Sequence, residues 1–454
     1  MRLLILFGIL TLLITIGCKK AAVIEEVDEK DWYAGGSQTF FDQSGGAFAN
    51  TFIGLTPTQE QIHSVGDKFF EASFVSSPSP INPGLGPLFN AVSCVSCHPS
   101  DGRNSAPAEG DNLHNLLLRI SVSGESVHGG PLAIPNFGLQ FQPRAIFGLT
   151  SEGNVNVNYT YIQGNFDDGE AYELRQPTFS ILNSYMSFPS DAMVSPRLSR
   201  PVFGLGLLEA IPDWALLANQ DLFDSNGDGI SGKANSVWNV KDQKMSIGRF
   251  GWKAGSPTLL QQVGFAFSED IGITNFLFPL ENSYGQSQSV NSEKELSDSL
   301  IYSVAFYLKT LGVPAKRNIS DSEVIRGKQI FTEASCVKCH TPKQKTAVNV
   351  AFKSISNQTI YPYTDLLLHD MGGGLADNRT EYLADGSEWR TPPLWGIGLT
   401  EVVNGHSNFL HDGRARNLTE AILWHGGEAA NAKIYFRKLN TSDRAALIKF
   451  LKSL

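Results

Sequence analysis

Cys-x-x-Cys-His occurs twice in this chain, at Cys94, Cys97 and His98 and again at Cys336, Cys339 and His340, and uses four of its five cysteines. This spacing is the attachment signature of c-type haem: two thiols add to the haem vinyl groups and the histidine ligates the iron. A bare Cys-x-x-Cys would equally suit a zinc site or a redox dithiol. A paired-thiol zinc site, however, has no need of a histidine directly after the second cysteine in both copies. The expectation is two covalently bound c-type haems, each a flat apolar body around which half of the chain must fold.

The fifth cysteine bears on location. Met1-Arg2 is followed by a mostly apolar run from Leu3 to Ile16, and Thr15-Ile16-Gly17-Cys18 resembles a lipoprotein cleavage box, with Thr15 in place of the usual leucine. The run is short for a membrane span and lies at the extreme N-terminus, as a signal peptide does. Residues 1–17 are therefore expected to be a lipoprotein signal peptide, Cys18 a lipidated residue, and 18–56, polar and glycine-rich, a tether. This places the body in a bacterial cell envelope, lipid-anchored to a membrane and facing the periplasm. All five cysteines are then committed, so thiol catalysis is not expected. A net charge of −9 argues against nucleic acid and suits a small basic redox donor protein; a quinol-linked electron source is the other expected partner.

The chain also repeats itself. Val65-Gly66-Asp67-Lys68-Phe69-Phe70 precedes the first motif, and Arg326-Gly327-Lys328-Gln329-Ile330-Phe331 precedes the second. Each half closes on an amphipathic stripe, Leu300, Val304, Leu308 and Leu311 in one and Leu447, Leu451 and Leu454 in the other. Pro314 marks the boundary. The expected fold class is mainly α: two cytochrome-c-like haem domains, over 57–313 and 316–454, with long loop insertions in the first. Proline and glycine rule out long helices over 76–87 and 99–112, and 113–120 and 155–162 read as short strands.

Several phrases carry a family resemblance. Arg390-Thr-Pro-Pro-Leu394, Phe409-Leu-His-Asp-Gly413 and Leu418-Thr-Glu-Ala-Ile422 resemble the C-terminal haem domain of bacterial di-haem cytochrome c peroxidases. Gly84 to Asn90, Gly204 to Pro212, Gly248 to Ala254 and Leu423 to Gly427 resemble the related bacterial di-haem oxidoreductase family. The resemblance implies a peroxidase-like enzyme that passes electrons from the C-terminal haem to a substrate at the N-terminal one. It also implies site residues. Fourteen positions after His411, where the peroxidases place a methionine ligand, stands His425, with Met371 as its rival. Sixteen after His98, where they place a displaceable histidine, stands His114, with His63 and His128 as lesser candidates. The repeat sets Ala266 opposite His425 and so supplies no ligand there. Trp252 inherits the position of an electron relay. Gln262 and either Asp270 or Glu269 fall where the acid–base group acts, while Glu209, matched by Glu401, reads as structural. Two alternatives stay open: a non-catalytic di-haem electron-transfer cytochrome, and an oxidase of protein side chains.

One motif stands apart. Asp224, Asn226, Asp228 and Ile230 occupy positions one, three, five and seven of a calcium-type loop with Gly229 at six, but Asn235 replaces the glutamate at twelve. A bound calcium ion is therefore expected to be weak.

Overall fold

The computed structural model describes residues 29–111, 116–282 and 294–454. Its two halves are built around matched helix pairs. In the first, α1 (Pro57–Glu71), started by a capping box between Thr56 and Gln59, crosses α3 (Asp298–Lys309). In the second, α4 (Ser322–Glu333), capped by Asp321, crosses α6 (Thr441–Ser453), capped by Asn440. Both crossings use the glycine of the repeated phrase. A Cβ on Gly66 would lie 2.1 Å from the Ser303 carbonyl oxygen, and one on Gly327 would lie 2.1 Å from that of Ala446. Only glycine lets the backbones approach so closely. Four residues on, Phe70 and Phe331 turn their rings towards His98 and His340, at 6.1 and 6.3 Å between centroids. A further helix, α2 (Leu259–Asp270), runs from Thr258 in the first half, and α5 (Leu418–Trp424) from Asn417 in the second. Glu209 accepts the backbone N–H of Leu259 and pairs with Lys309, so it fastens the start of α2, a structural role.

The expected mainly-α class is wrong. The described residues are 28% helical and 20% strand, with several small sheets, which is not a mainly-α cytochrome-c-like fold. The insertions after the first motif are the cause. β1 (Leu116–Glu125) pairs antiparallel with β4 (Met193–Leu198), and β2 (Asn154–Asn165) with β3 (Ala171–Leu182) through twelve registered pairs from Asn154 with Leu182 to Asn165 with Ala171. The expected strand at 155–162 lies within β2, and that at 113–120 overlaps the start of β1. Val155, Val157 and Tyr159 are buried at alternating positions of β2, the period that a half-covered strand imposes. Residues 76–87 and 99–108 contain no long helix, as proline and glycine require.

The far end of the β2–β3 ribbon reaches the second half. Phe166 packs edge-on against Phe436, Arg444 holds Asp168 and Glu170 at 2.7 and 2.5 Å, and Arg416 holds Glu173 at 3.2 Å. The loop after the first haem motif is tied there too: Asn404 accepts from the Arg103 N–H and donates to the Pro99 carbonyl, while Asn408 accepts from the Ala106 N–H. Residues 29–56, expected to lie within a tether, pack on the body. Thr39–Phe40 pairs in parallel with Val313–Pro314, and Phe48 and Phe52 are buried. The signal peptide and Cys18 lie outside the described residues, as does His114.

Candidate functional site

Both Cys-x-x-Cys-His motifs open into one continuous cavity of about 660 Å³. Each motif follows its phenylalanine-bearing helix, and in each the histidine N–H bonds back to the first cysteine's carbonyl, closing a tight turn. The rings are fixed from behind. His98 Nδ1 lies 2.8 Å from the Arg200 carbonyl and His340 Nδ1 lies 3.1 Å from that of Tyr363. A backbone carbonyl takes the Nδ1 proton and leaves Nε2 with a lone pair, the arrangement typical of a ligating histidine. Burial pulls both imidazoles down to about 4, so both are neutral, as a metal requires. Burial also pushes the thiols of Cys94, Cys97 and Cys336 up to about 12. Such thiols are poor exchange nucleophiles, which speaks against a redox dithiol. Among the described residues no group of three or more His, Cys, Asp or Glu side chains is placed to hold a metal ion by itself.

The cavity suits haem in a second respect. Arg103 and Arg390 line it, are 6% and 2% exposed, and have no carboxylate partner among the described residues. Arg390 donates to the carbonyls of Gly251 and Thr391, and Arg103 to that of Leu410. Burial alone draws them down, to about 9 and about 10. Buried cations without counter-charges are costly, and the propionates of a haem are the anions that would relieve them.

The chain's residues 29–454 match the family model described as "Di-haem oxidoreductase, putative peroxidase". It belongs to the di-haem oxidoreductase family. No curated protein and no solved structure matches it. A di-haem family implies two haems.

The two ends differ. His425 lines the cavity with its Nδ1 fixed 2.7 Å from the Ala421 carbonyl, the same fastening as on His98 and His340. His340 lines the same cavity, and the charge of His425 would bear on it. Met371 lines the cavity as well. His411 does not resemble a ligand: it stacks on Trp389 at 3.9 Å and 15°. On the other side Gln262, Ala266 and Asp270 of α2 line the cavity, and the charge of Asp270 bears on Cys94 and Cys97. His63 is held between Thr51 and Thr310, and His128 stacks on Trp238 at 3.8 Å; neither reaches the cavity.

Asp270 and Glu269 are separated by the end of α2. Asp270 faces the cavity with a carboxyl that burial raises and Arg119 and Gln140 lower. Glu269 is buried and does not line the cavity. Trp252 is in the shared wall, its Nε1 donating to the Leu198 carbonyl at 2.7 Å. Sequence reasoning missed its neighbour Trp389, edge-on to Trp252 at 6.5 Å, although Trp389 directly precedes the Arg390 phrase. Three cations crowd this pair: Arg200 over Trp252, and Arg197 and Lys253 over Trp389. Lys253 and Arg197 are anchored by Asp377 and Glu381, so residues of both halves lock the indoles in place.

The calcium-type loop is occupied by its own chain. Asp224 accepts from the N–H groups of Asp228 and Gly229, Asp228 accepts from that of Ile230, and the Asp228 carboxylate also pairs with Lys338 inside the second haem motif. Asn226 Oδ1 accepts from the Asp228 N–H. Asn235 is turned to Lys253, Glu381 and Leu383 instead of the loop.

Proposed function

We propose that this chain is a peroxidase-type oxidoreductase, taking electrons at its C-terminal site and reducing peroxide at its N-terminal site. The observation that carries the proposal is the inequality of the two sites. A histidine with a fixed ring, His425, shares the cavity with His340, whereas the wall near Cys94 and Cys97 offers Ala266, Gln262 and Asp270. Haems joined by thioethers to Cys94 and Cys97 and to Cys336 and Cys339 would be held through His98 at one site and through His340 and His425 at the other, and would supply two redox-active irons.

The chain's own residues do the rest. Arg103 and Arg390 hold anionic groups in the cavity. Trp252, locked by the Leu198 carbonyl, bridges the wall between the sites. Asp270 holds and moves the proton at the peroxide oxygens, as general acid–base catalysis requires. A small basic redox donor protein or a quinol-linked source delivers electrons to a body anchored through acylated Cys18 and facing the periplasm. A calcium ion in the Asp224 loop would have to take the place of Lys338 at Asp228.

Carbon monoxide binding to the reduced protein, measured beside peroxide turnover, tests the reading. Binding at one site together with turnover is the expected result, and Asp270→Asn should slow turnover by about 10²-fold or more with carbon monoxide binding intact. Binding at neither site would leave an electron carrier. Retention of both haems after denaturation and acidic solvent extraction checks the covalent attachment.

A further inference from the structure

Behind Asp270 lies a buried polar cluster that the mechanism above leaves unused. Glu152, just before β2, has no exposed surface, and Glu269 is 6% exposed. Asn90, Gln140, Gln142 and Asn282, all buried, are joined to Glu152, to the backbone carbonyl of Glu269 or to one another. The amide nitrogens are engaged. Gln142 donates its backbone N–H to Glu152 Oε2 at 2.6 Å and its side-chain amide to the Glu269 carbonyl at 2.8 Å. Gln140 donates to Asp270 Oδ1 at 2.8 Å, to the Glu269 carbonyl at 3.1 Å, and to Asn90. Asn282 donates to the carbonyls of Leu88 and Glu269, and Asn90 to that of Phe141.

What remains is a set of acceptors. Glu152 Oε1, Glu269 Oε2, Gln140 Oε1, Gln142 Oε1 and Asn282 Oδ1 are buried with no partner among the described residues. Ionised, each carboxyl would be a buried anion with one oxygen left unpartnered, which is costly, and Arg119 offsets that cost at Glu269 alone of the two. A proton on each carboxyl turns two of the five acceptors into donors. The other oxygens are the partners that a buried water needs, and such a water can carry a proton between carboxyls.

We propose that Glu152 and Glu269 hold a reserve of protons that restocks Asp270 while peroxide is reduced. The proposal rests on the peroxidase reading. Cleaving the O–O bond of one peroxide with two electrons from the donor consumes two protons and forms two waters. Asp270 touches the cavity and can deliver one proton at a time; the reserve behind it replaces what is delivered. Glu152 is thus a proton-storing residue that acts through Asp270.

The charged surroundings agree. Burial lifts the Glu152 carboxyl to about 9, with the Gln142 N–H opposing and the charge of Glu269 adding. Burial lifts Glu269 to about 7, with Arg119 opposing and Asp270 adding. Arg119, whose guanidinium lies 4.4 Å over the Phe265 ring, is the cation that bears on Glu269 and Asp270. On its other side Glu152 meets Tyr185, whose N–H donates to the Glu152 carbonyl and whose phenol is raised by burial and by the Glu152 charge.

Infrared spectroscopy of the haem-loaded protein at neutral pH, combined with peroxide kinetics, tests the proposal. A carbonyl band of a protonated carboxylic acid, shifted by deuterium, is expected in the wild type and should be diminished in Glu152→Gln. The same variant should slow peroxide turnover by about 10²-fold and lose the alkaline limb of its pH profile, with carbon monoxide binding and haem spectra unchanged. Glu269→Gln, probed in parallel, should remove a second component of the band. Absence of any such band overturns the reserve, as does a bound metal ion, found by elemental analysis, that Glu152→Gln releases. Loss of the band with turnover and pH profile unchanged overturns the relay. A wild type that shows the band but reduces no peroxide overturns the peroxidase reading and the relay with it, and leaves a protonated pair without that task.

Discussion

Gly327→Ala asks whether the helix crossing in the second half is as close as its geometry implies. A Cβ there would meet the Ala446 carbonyl oxygen at 2.1 Å and the Phe450 Cβ at 2.6 Å. Ordinary contact begins near about 3.5 Å, and the obstacle is backbone, so α4 and α6 must move apart by about 1 Å. Overpacking of this kind costs about 1–3 kcal/mol, while the better helix propensity of alanine returns about 1 kcal/mol. The net expectation is a loss of about 0–2 kcal/mol, equivalent to a fall of up to a few degrees in Tm. The effect should also reach the site, because separation of the helices loosens Phe450 from Phe331, now 5.3 Å apart, and Phe331 from His340. Thermal unfolding by circular dichroism, with absorbance of each haem recorded alongside, reads both effects. Gly66→Ala, which meets Ser303 at 2.1 Å, should perturb the first haem instead of the second. A rise in Tm would refute the reasoning, since that is what alanine does at an uncrowded helical position.

Three further outcomes are expected. His425→Ala should convert the second haem from low-spin to high-spin in its resonance spectrum without releasing it; an unchanged low-spin signal would move the ligand to Met371. The Glu152 carboxyl is raised from 4.5 to about 9 in the folded chain, so its contribution to stability is complete below about pH 4.5 and is lost as pH rises through about 9, by up to about 1.4 kcal/mol per pH unit. Urea midpoints should therefore fall across that window in the wild type, and Glu152→Gln should flatten the fall. Asp228→Ala removes the partner of Lys338 and should shift the potential of the second haem in redox titration; if chelators reproduce the shift, calcium resides in the loop, and if elemental analysis finds none, the ion pair alone accounts for it.

The Cys-x-x-Cys-His motifs of His98 and His340 stand out in the sequence by their spacing, whereas His425 came into view only through the family resemblance. The repeated glycine and phenylalanine before each motif marked a pair of matched helix crossings. Asp270 and Glu269 could not be told apart, since consecutive residues at a helix end differ only in direction and direction needs the fold. The ribbon was half visible. Val155, Val157 and Tyr159 alternate cleanly, but its partner strand is half-exposed on both faces and carries no such pattern. The lock of Arg197 and Lys253 on Asp377 joins residues 124 or more positions apart, and nothing local announces it.

The tie between the loop after Cys97 and the segment around Asn404 has a consequence for how the protein is made. Arg103 and Asn404 are 301 residues apart, and closing so long a loop comes late, after local helices have formed. Until then the loop after Cys97 lacks its tie to the C-terminal half, and the first motif is less enclosed than in the folded chain. The second motif has no such wait, because most of its surroundings follow within about a hundred residues. Assembly of the first site is set by the arrival of the C-terminus, so a truncated chain should load haem at Cys94 and Cys97 yet never enclose it.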